Sequence, residues 1–76
     1  MAIPTEIKHE VVKKFGIISQ SSKGWKKEVN LIKWNDLAPK LDIRDWSPDN
    51  SKMGKGVTLS SDEVKKLKEL LTTIDF

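Results

Sequence analysis

Only one stretch of this chain, Ser60 to Phe76, repeats its apolar residues at helical spacing, and it comes last. Val64, Leu67, Leu70, Leu71 and Ile74 form a single stripe, with Lys65, Lys66, Lys68 and Glu69 filling the other side, as in a helix that buries one face. Ser60 and Glu63, three residues apart, have the layout of a capping box, in which each side chain accepts a hydrogen bond from the other residue's backbone N–H. What precedes the stripe has strand character, so the chain must be assembled from several strands and one helix.

The segment His9 to Gln20 (HEVVKKFGIISQ) is rich in Val, Ile and Phe, residues that suit a strand, with Gly16 marking a bulge or bend. Ser21 to Gly24 reads as a turn. Trp25 to Trp34 alternates, with Trp25, Lys27, Val29, Leu31 and Lys33 facing one way and Lys26, Glu28, Asn30, Ile32 and Trp34 the other. After a loop at Asn35 to Pro39, Lys40 to Trp46 alternates more strictly, with Leu41, Ile43 and Asp45 opposite Lys40, Asp42, Arg44 and Trp46. Pro48 ends this strand because it has no N–H for the ladder. Asp49 to Gly54 reads as polar loop, and Lys55 to Leu59 as a short fourth strand. The expectation is one α+β domain of order ββββα. Residues 1–7 form a loose leader, 8–59 a basic sheet and 60–76 the helix. One helix covers only part of one face of such a sheet, so the other face meets water, a ligand or another subunit.

A core of 76 residues is marginal by itself, and small domains usually add disulfides, a metal or a partner subunit. With no cysteine and one histidine, disulfides are excluded and a structural zinc site is disfavoured, which leaves a homodimer through the helix stripe as the favoured supplement. No cofactor or metal is called for. The missing cysteines fit a reducing compartment, no apolar run approaches the ~18 residues of a membrane span, and the N-terminus lacks the layout of a secretory signal. A soluble intracellular protein, taken as cytoplasmic, is the default.

The formal charge is +3. From Lys8 to Leu59 there are 11 Lys and Arg against 6 Asp and Glu, whereas Ser60 to Phe76 has 3 against 4. The positive charge therefore belongs to the sheet, which favours a polyanionic partner there.

Catalytic constellations are nearly absent. His9, the one histidine, reads as a solvent-facing strand end rather than a base, and Asp42 and Asp45 fall on opposite strand faces. KMGKGVTL lacks the spacing of a phosphate loop and leads into a strand. With Val29, Leu31, Leu41 and Ile43 taken as core-facing, the exposed face carries Lys26, Asn30 and Trp34 on one strand and Lys40, Arg44 and Trp46 on the next. Indole rings stack on unpaired bases while Lys and Arg follow phosphates, so this face suits a single strand. The competing reading for the tryptophans is packing, and Trp25, which falls with Val29 and Leu31, reads first that way. Lys23, Lys26 and Lys27 beside Gly24, and Lys52 and Lys55 beside Gly54, are either solvated turns or phosphate contacts.

The run DIRDW (Asp42 to Trp46), a polar loop, GKGVTLS (Gly54 to Ser60) and an amphipathic helix resemble the DNA-binding domain of transcriptional positive cofactor four. KFG, GW, LxxWN and DIRDWSP resemble its bacterial YdbC-like branch in particular, over Lys14 to about Leu71. The resemblance implies a four-stranded antiparallel sheet plus one helix, forming a non-catalytic homodimer through the helices that binds single-stranded DNA along the curved sheets with little sequence preference. By position it implies roles for Arg44, Trp34, Lys27, Lys55 and Gly56, and for Trp46 or else Ser47. A family arginine falls on Ile32 here and the loop before Lys55 is shorter, so those contacts are either lost or supplied by Lys26 and Lys52. The coactivator role of eukaryotic members is not carried over, and these residues leave transcription, replication and repair equally open. The alternatives are single-stranded or structured RNA and a protein-interaction module.

Overall fold

A computed structural model describes residues 8–75; the leader and Phe76 lie outside the described residues. The strands β1 (His9–Gln20), β2 (Lys26–Trp34), β3 (Lys40–Trp46) and β4 (Met53–Leu59) precede one helix, α1 (Ser61–Thr73). The strands form one antiparallel meander in the order β1-β2-β3-β4, giving the expected ββββα architecture. Among the described residues no helix is long and apolar enough to cross a membrane.

Three boundaries move. Trp25 stands in the turn before β2, β4 starts at Met53 rather than Lys55, and α1 ends at Thr73 with Ile74 as its extended C-cap. The second shift follows from the turn chemistry between β3 and β4. Ser47 N donates to Lys52 O at 2.9 Å, carrying the pairing past the end of β3. Asp49 Oδ1 accepts from Ser47 Oγ at 2.8 Å, Ser51 N at 3.0 Å and Ser51 Oγ at 2.7 Å. These bonds, the Ser51 hydroxyl first, hold its pKa down to about 2. Asn50 takes φ 61°, a left-handed conformation that asparagine tolerates better than most residues. The polar loop is thus a tight, self-bonded turn.

In β1 the pairing to β2 slips between Val11 and Lys13, Lys14 and Gly16, and Ile17 and Ser19. The expected irregularity at Gly16 is the middle one. Each bulge bends the strand and increases its twist, and together they curve this side of the sheet.

The register places Lys26 opposite Trp46, Glu28 opposite Arg44, Asn30 opposite Asp42 and Ile32 opposite Lys40. The facing sets read from alternation are therefore right, but their burial is reversed. Ile32 (0% exposed) and Trp46 (4%) are the buried apolar side chains of the described residues, and both lie on the face expected to be open. Val29, Leu31, Leu41 and Ile43, the expected core, are only half-buried. α1 approaches this second face along β3 and β4, leaving a hollow lined by Val64 of the helix and Leu31, Leu41 and Leu59 of the sheet. The helix buries no residue fully, and Leu70, Leu71 and Ile74 are about half exposed. The physical reason is that one short helix cannot cover four strands, while on the opposite face long side chains close over one another.

Replacing Ile32 by Ala should cost about 2–5 kcal/mol, as for other fully buried aliphatics. Ser60→Ala, which removes a cap that accepts from Glu63 N at 3.3 Å, should cost about 1 kcal/mol. Chemical denaturation of both variants checks the ranking.

Candidate nucleic-acid interface

The face carrying Trp34, Arg44 and Trp46 is organised around a buried carboxylate. Asp42 is 0% exposed, and Arg44, two residues along β3 and so on the same side, reaches it with Nε at 3.1 and 3.3 Å and Nη2 at 3.1 Å. Arg44 Nη1 also donates to Gly54 O at 3.0 Å, and its guanidinium lies 5.3 Å from the centre of the Trp34 ring. Cations over indole faces are attracted by the ring quadrupole, so the pair to Asp42 also orients the tryptophan.

Gly56 makes this arrangement possible. It pairs with Arg44 across β3 and β4, and a Cβ there would stand 2.5 Å from Ile43 O and 2.7 Å from Arg44 Cβ. The Lys-Gly of the last strand therefore divides its work: Gly56 clears the path of the arginine stem, while Lys55 is exposed beside the register shift.

A second carboxylate, Glu28, is 4% exposed. Burial pushes its pKa up, but hydrogen bonds from Asn50, Asn30 and Lys26 outweigh that and hold it below the usual range. Asn50 Nδ2 donates at 3.0 Å and Asn30 Nδ2 at 3.3 Å, with Lys26 Nζ 3.3 Å away. Lys26 also donates to Asn50 Oδ1. This network ties β2 to the β3–β4 turn. Alternation alone could have flagged it, because the same face reads Lys-Glu-Asn in β2 and Asp-Arg in β3.

The aromatic residues converge. β2 from Lys26 to Trp34 would span about 26 Å if straight, and Trp46 pairs at its far end with Lys26. Yet the His9 ring lies 5.7 Å from that of Trp34 and 5.8 Å from that of Trp46. Long side chains leaning together over a bent sheet account for this. Sequence reading set His9 aside; its pairing with Trp34 needed the β1 register, which three slips conceal.

Four of the expected contact residues are engaged within the chain. Trp46 (4% exposed) and Asn30 (1%) are not open to a ligand in this conformation, and Arg44 spends most of its donors inside the chain. Each is covered because the face is curved and its polar groups bind one another. Lys26 is committed in the same way, and Lys27 stands opposite Asp45, with its Nζ 3.9 Å from that carboxylate. Lys23, Lys40, Lys52 and Lys55 are exposed. A Cβ on Gly24 would lie 3.0 Å from Pro48, so the two turns bearing Lys23 and Lys52 adjoin at one end of the sheet. Trp25 packs by Gly54 and lines a recess with Pro48.

What stays accessible is a mostly apolar hollow of about 570 Å³ walled by Trp34, Arg44, Lys40, Met53, Leu37 and Thr58. It offers one half-buried indole and a lysine at its rim. Among the described residues no group of His, Asp or Glu is placed to hold a metal ion.

The family described as Transcriptional Coactivator p15 (PC4) matches residues 21–70, which contain β2, β3, β4 and most of α1. The chain belongs to the PC4 family. An uncharacterized protein of Treponema pallidum is 48% identical over 66 residues, covering 87% of this chain and 78% of the relative. Membership in PC4 supports nucleic-acid binding of a coactivator-like kind in general terms.

Gly56→Ala should displace Arg44 and cost about 1–3 kcal/mol, the usual range for overpacking. Denaturation together with the near-ultraviolet signal of the tryptophans checks it; an unchanged signal at wild-type stability would mean that Arg44 does not need the gap.

Proposed function

We propose that this PC4-family chain binds single-stranded DNA without catalysis and with little sequence preference, as a homodimer. The observation that carries the reading is the hollow beside Trp34, where an indole, the Arg44 guanidinium and Lys40 border one apolar recess. An unstacked base has a flat face for the indole, and its phosphates can reach exposed lysines. A duplex keeps its bases stacked and offers the recess nothing. Trp46 serves in this reading as support for the ring cluster, and Trp34 as the platform.

The exposed half of the helix stripe supports the dimer. Leu70, Leu71 and Ile74, with the β1 side chains Phe15 and Ile18, are each about half or more exposed, more apolar surface than a chain with so small a core is expected to leave in water. A second copy would cover it. A cytoplasmic or nucleoid location follows from a DNA partner.

Oligo-dT should quench tryptophan fluorescence at low salt, with duplex binding weaker. Affinity should fall steeply with salt, by a slope of about 0.7 per phosphate contact on a single strand. Trp34→Ala should weaken binding by about 1–3 kcal/mol with the strand content of its circular dichroism unchanged, and Lys40→Ala should reduce the slope by about 0.7. Arg44→Ala is a poor probe, since stripping a buried carboxylate of its partner costs about 3–5 kcal/mol in folding. No complex with oligo-dT at low salt would favour a protein-interaction module, and preference for oligo-U would favour RNA. For the dimer, Leu71→Glu should convert a sedimenting dimer at micromolar concentration into a monomer; a wild-type monomer would refute it.

A further inference from the structure

His9 lies outside residues 21–70 that the PC4 family matches, yet it occupies a built position. It pairs with Trp34, and the backbone just before it is clamped. Asn35 N donates to Lys8 O at 2.7 Å, and Lys8 N donates to Asn35 Oδ1 at 3.0 Å. Asn35 takes φ 51° to do so. The clamp holds an exposed imidazole against two indoles, tilted 41° to Trp34 and 49° to Trp46. Both indole N–H groups are buried without a hydrogen-bond partner, so the rings hold their places by packing alone.

We infer that His9 is a nucleic-acid contact of this face, and that its protonation makes single strands bind more tightly as the pH falls. The inference rests on the single-strand reading above. Imidazole is the side chain whose charge changes between about pH 5 and 8. The charged groups around it are Lys8 and Glu10 on its own strand, Lys33 from β2 and Arg44 from β3, the last across the Trp34 ring. Phosphates arriving over the face favour the charged imidazole, and indole faces also stabilise a neighbouring cation.

The bound state therefore holds the proton more tightly than the free state. By linkage, the complex takes up a proton between the two titration midpoints, and the gain in affinity is fully present below the free midpoint and lost as the pH rises through the bound one. A rise of about one unit in the imidazole midpoint gives about a threefold gain in affinity between pH 7 and 5.5.

The chain offers a clean test because it has one histidine and no cysteine. Staying below about pH 7 avoids the α-amino group. Asp49 near 2 and the lowered Glu28 and Glu63 lie under the window. Oligo-dT affinity would be measured at about pH 5.5 and 7 and constant ionic strength for the full chain, His9→Phe and His9→Gln. The imidazole proton resonance of the wild type would be titrated with and without saturating oligo-dT. The wild type should bind about threefold more tightly at the lower pH, its imidazole midpoint should rise with oligo-dT, and both variants should lose the pH dependence. His9→Phe, which keeps a ring on the indoles, should bind better than His9→Gln. Equal pH dependence in wild type and variants, or an imidazole midpoint unmoved by oligo-dT, overturns the inference. Absence of a complex at both pH values in low salt overturns the single-strand reading itself, an outcome distinct from binding that is merely flat with pH.

Discussion

A carboxylate with no solvent contact, set in the middle of a sheet, is held only if a cation and good hydrogen-bond donors reach it. Asp42 has both in Arg44, whose Nε and Nη2 engage the two carboxylate oxygens from the same strand face. That pairing fixes more than a charge. The arginine stem has to cross β4 where Gly56 leaves room, its Nη1 fastens the start of β4 at Gly54 O, and its guanidinium comes to rest over Trp34. Remove the pair and the indole loses its cover, the β3–β4 pairing loses a brace, and the hollow loses a wall. Buried ion pairs contribute little net stability compared with apolar packing; here the return is a defined geometry for the ring that would meet a base.

The same logic explains why this chain has two unequal faces. On one, Ile32 and Trp46 are buried beneath and among polar groups that mostly bond one another, Asn30 Oδ1 and the two indole N–H groups excepted. On the other, the ordinary apolar residues Val29, Leu31, Leu41 and Ile43 wait half-covered under a helix that runs past the sheet. An apolar surface left open costs free energy in proportion to its area. The second face is where a further chain would stabilise the fold, and the first is where curvature has already done that work. Dimerisation and ligand binding, on the proposed reading, are thereby assigned to opposite sides and need not compete.

Much of this fold could be read from residue order. The capping box at Ser60 and Glu63, the stripe that follows it and the alternation of β2 and β3 each rest on a local rule, and each stands in the structure. Alternation also grouped Lys26, Asn30, Trp34, Lys40, Arg44 and Trp46 correctly on one face. It could not say whether that face was open, because exposure depends on how far the sheet bends, and the bending comes from slips in β1 that have no period. The same slips hid His9. The early start of β4 was missed for another reason: Ser47, Asp49 and Ser51 satisfy one another inside the turn, so a polar stretch that reads as loose loop is tightly bonded. Arg44 was legible as a cation but not as a committed one, since only the structure brings Asp42 and Gly54 O within its reach.

A surface meant for a polyanion would be expected to exclude acids, yet Glu28 and Asp42 lie at the centre of this one. Each carboxylate is neutralised locally, by Lys26 and by Arg44, so neither projects charge far into solvent. The cations left exposed are peripheral: Lys23 and Lys52 at the adjoining turns, Lys40 at the hollow's rim and Lys55 on the outer strand. The centre is consequently electrically quiet and aromatic, and the positive potential is carried at the edge. A single strand has the inverse layout when its bases turn inward and its phosphates stay outside, whereas a duplex keeps its base faces stacked on one another and shows only their edges in the grooves. On the proposed reading, the internal pairing of the acids, which occupies Arg44 and Lys26 within the chain, would let the same face discriminate strand state instead of merely attracting charge.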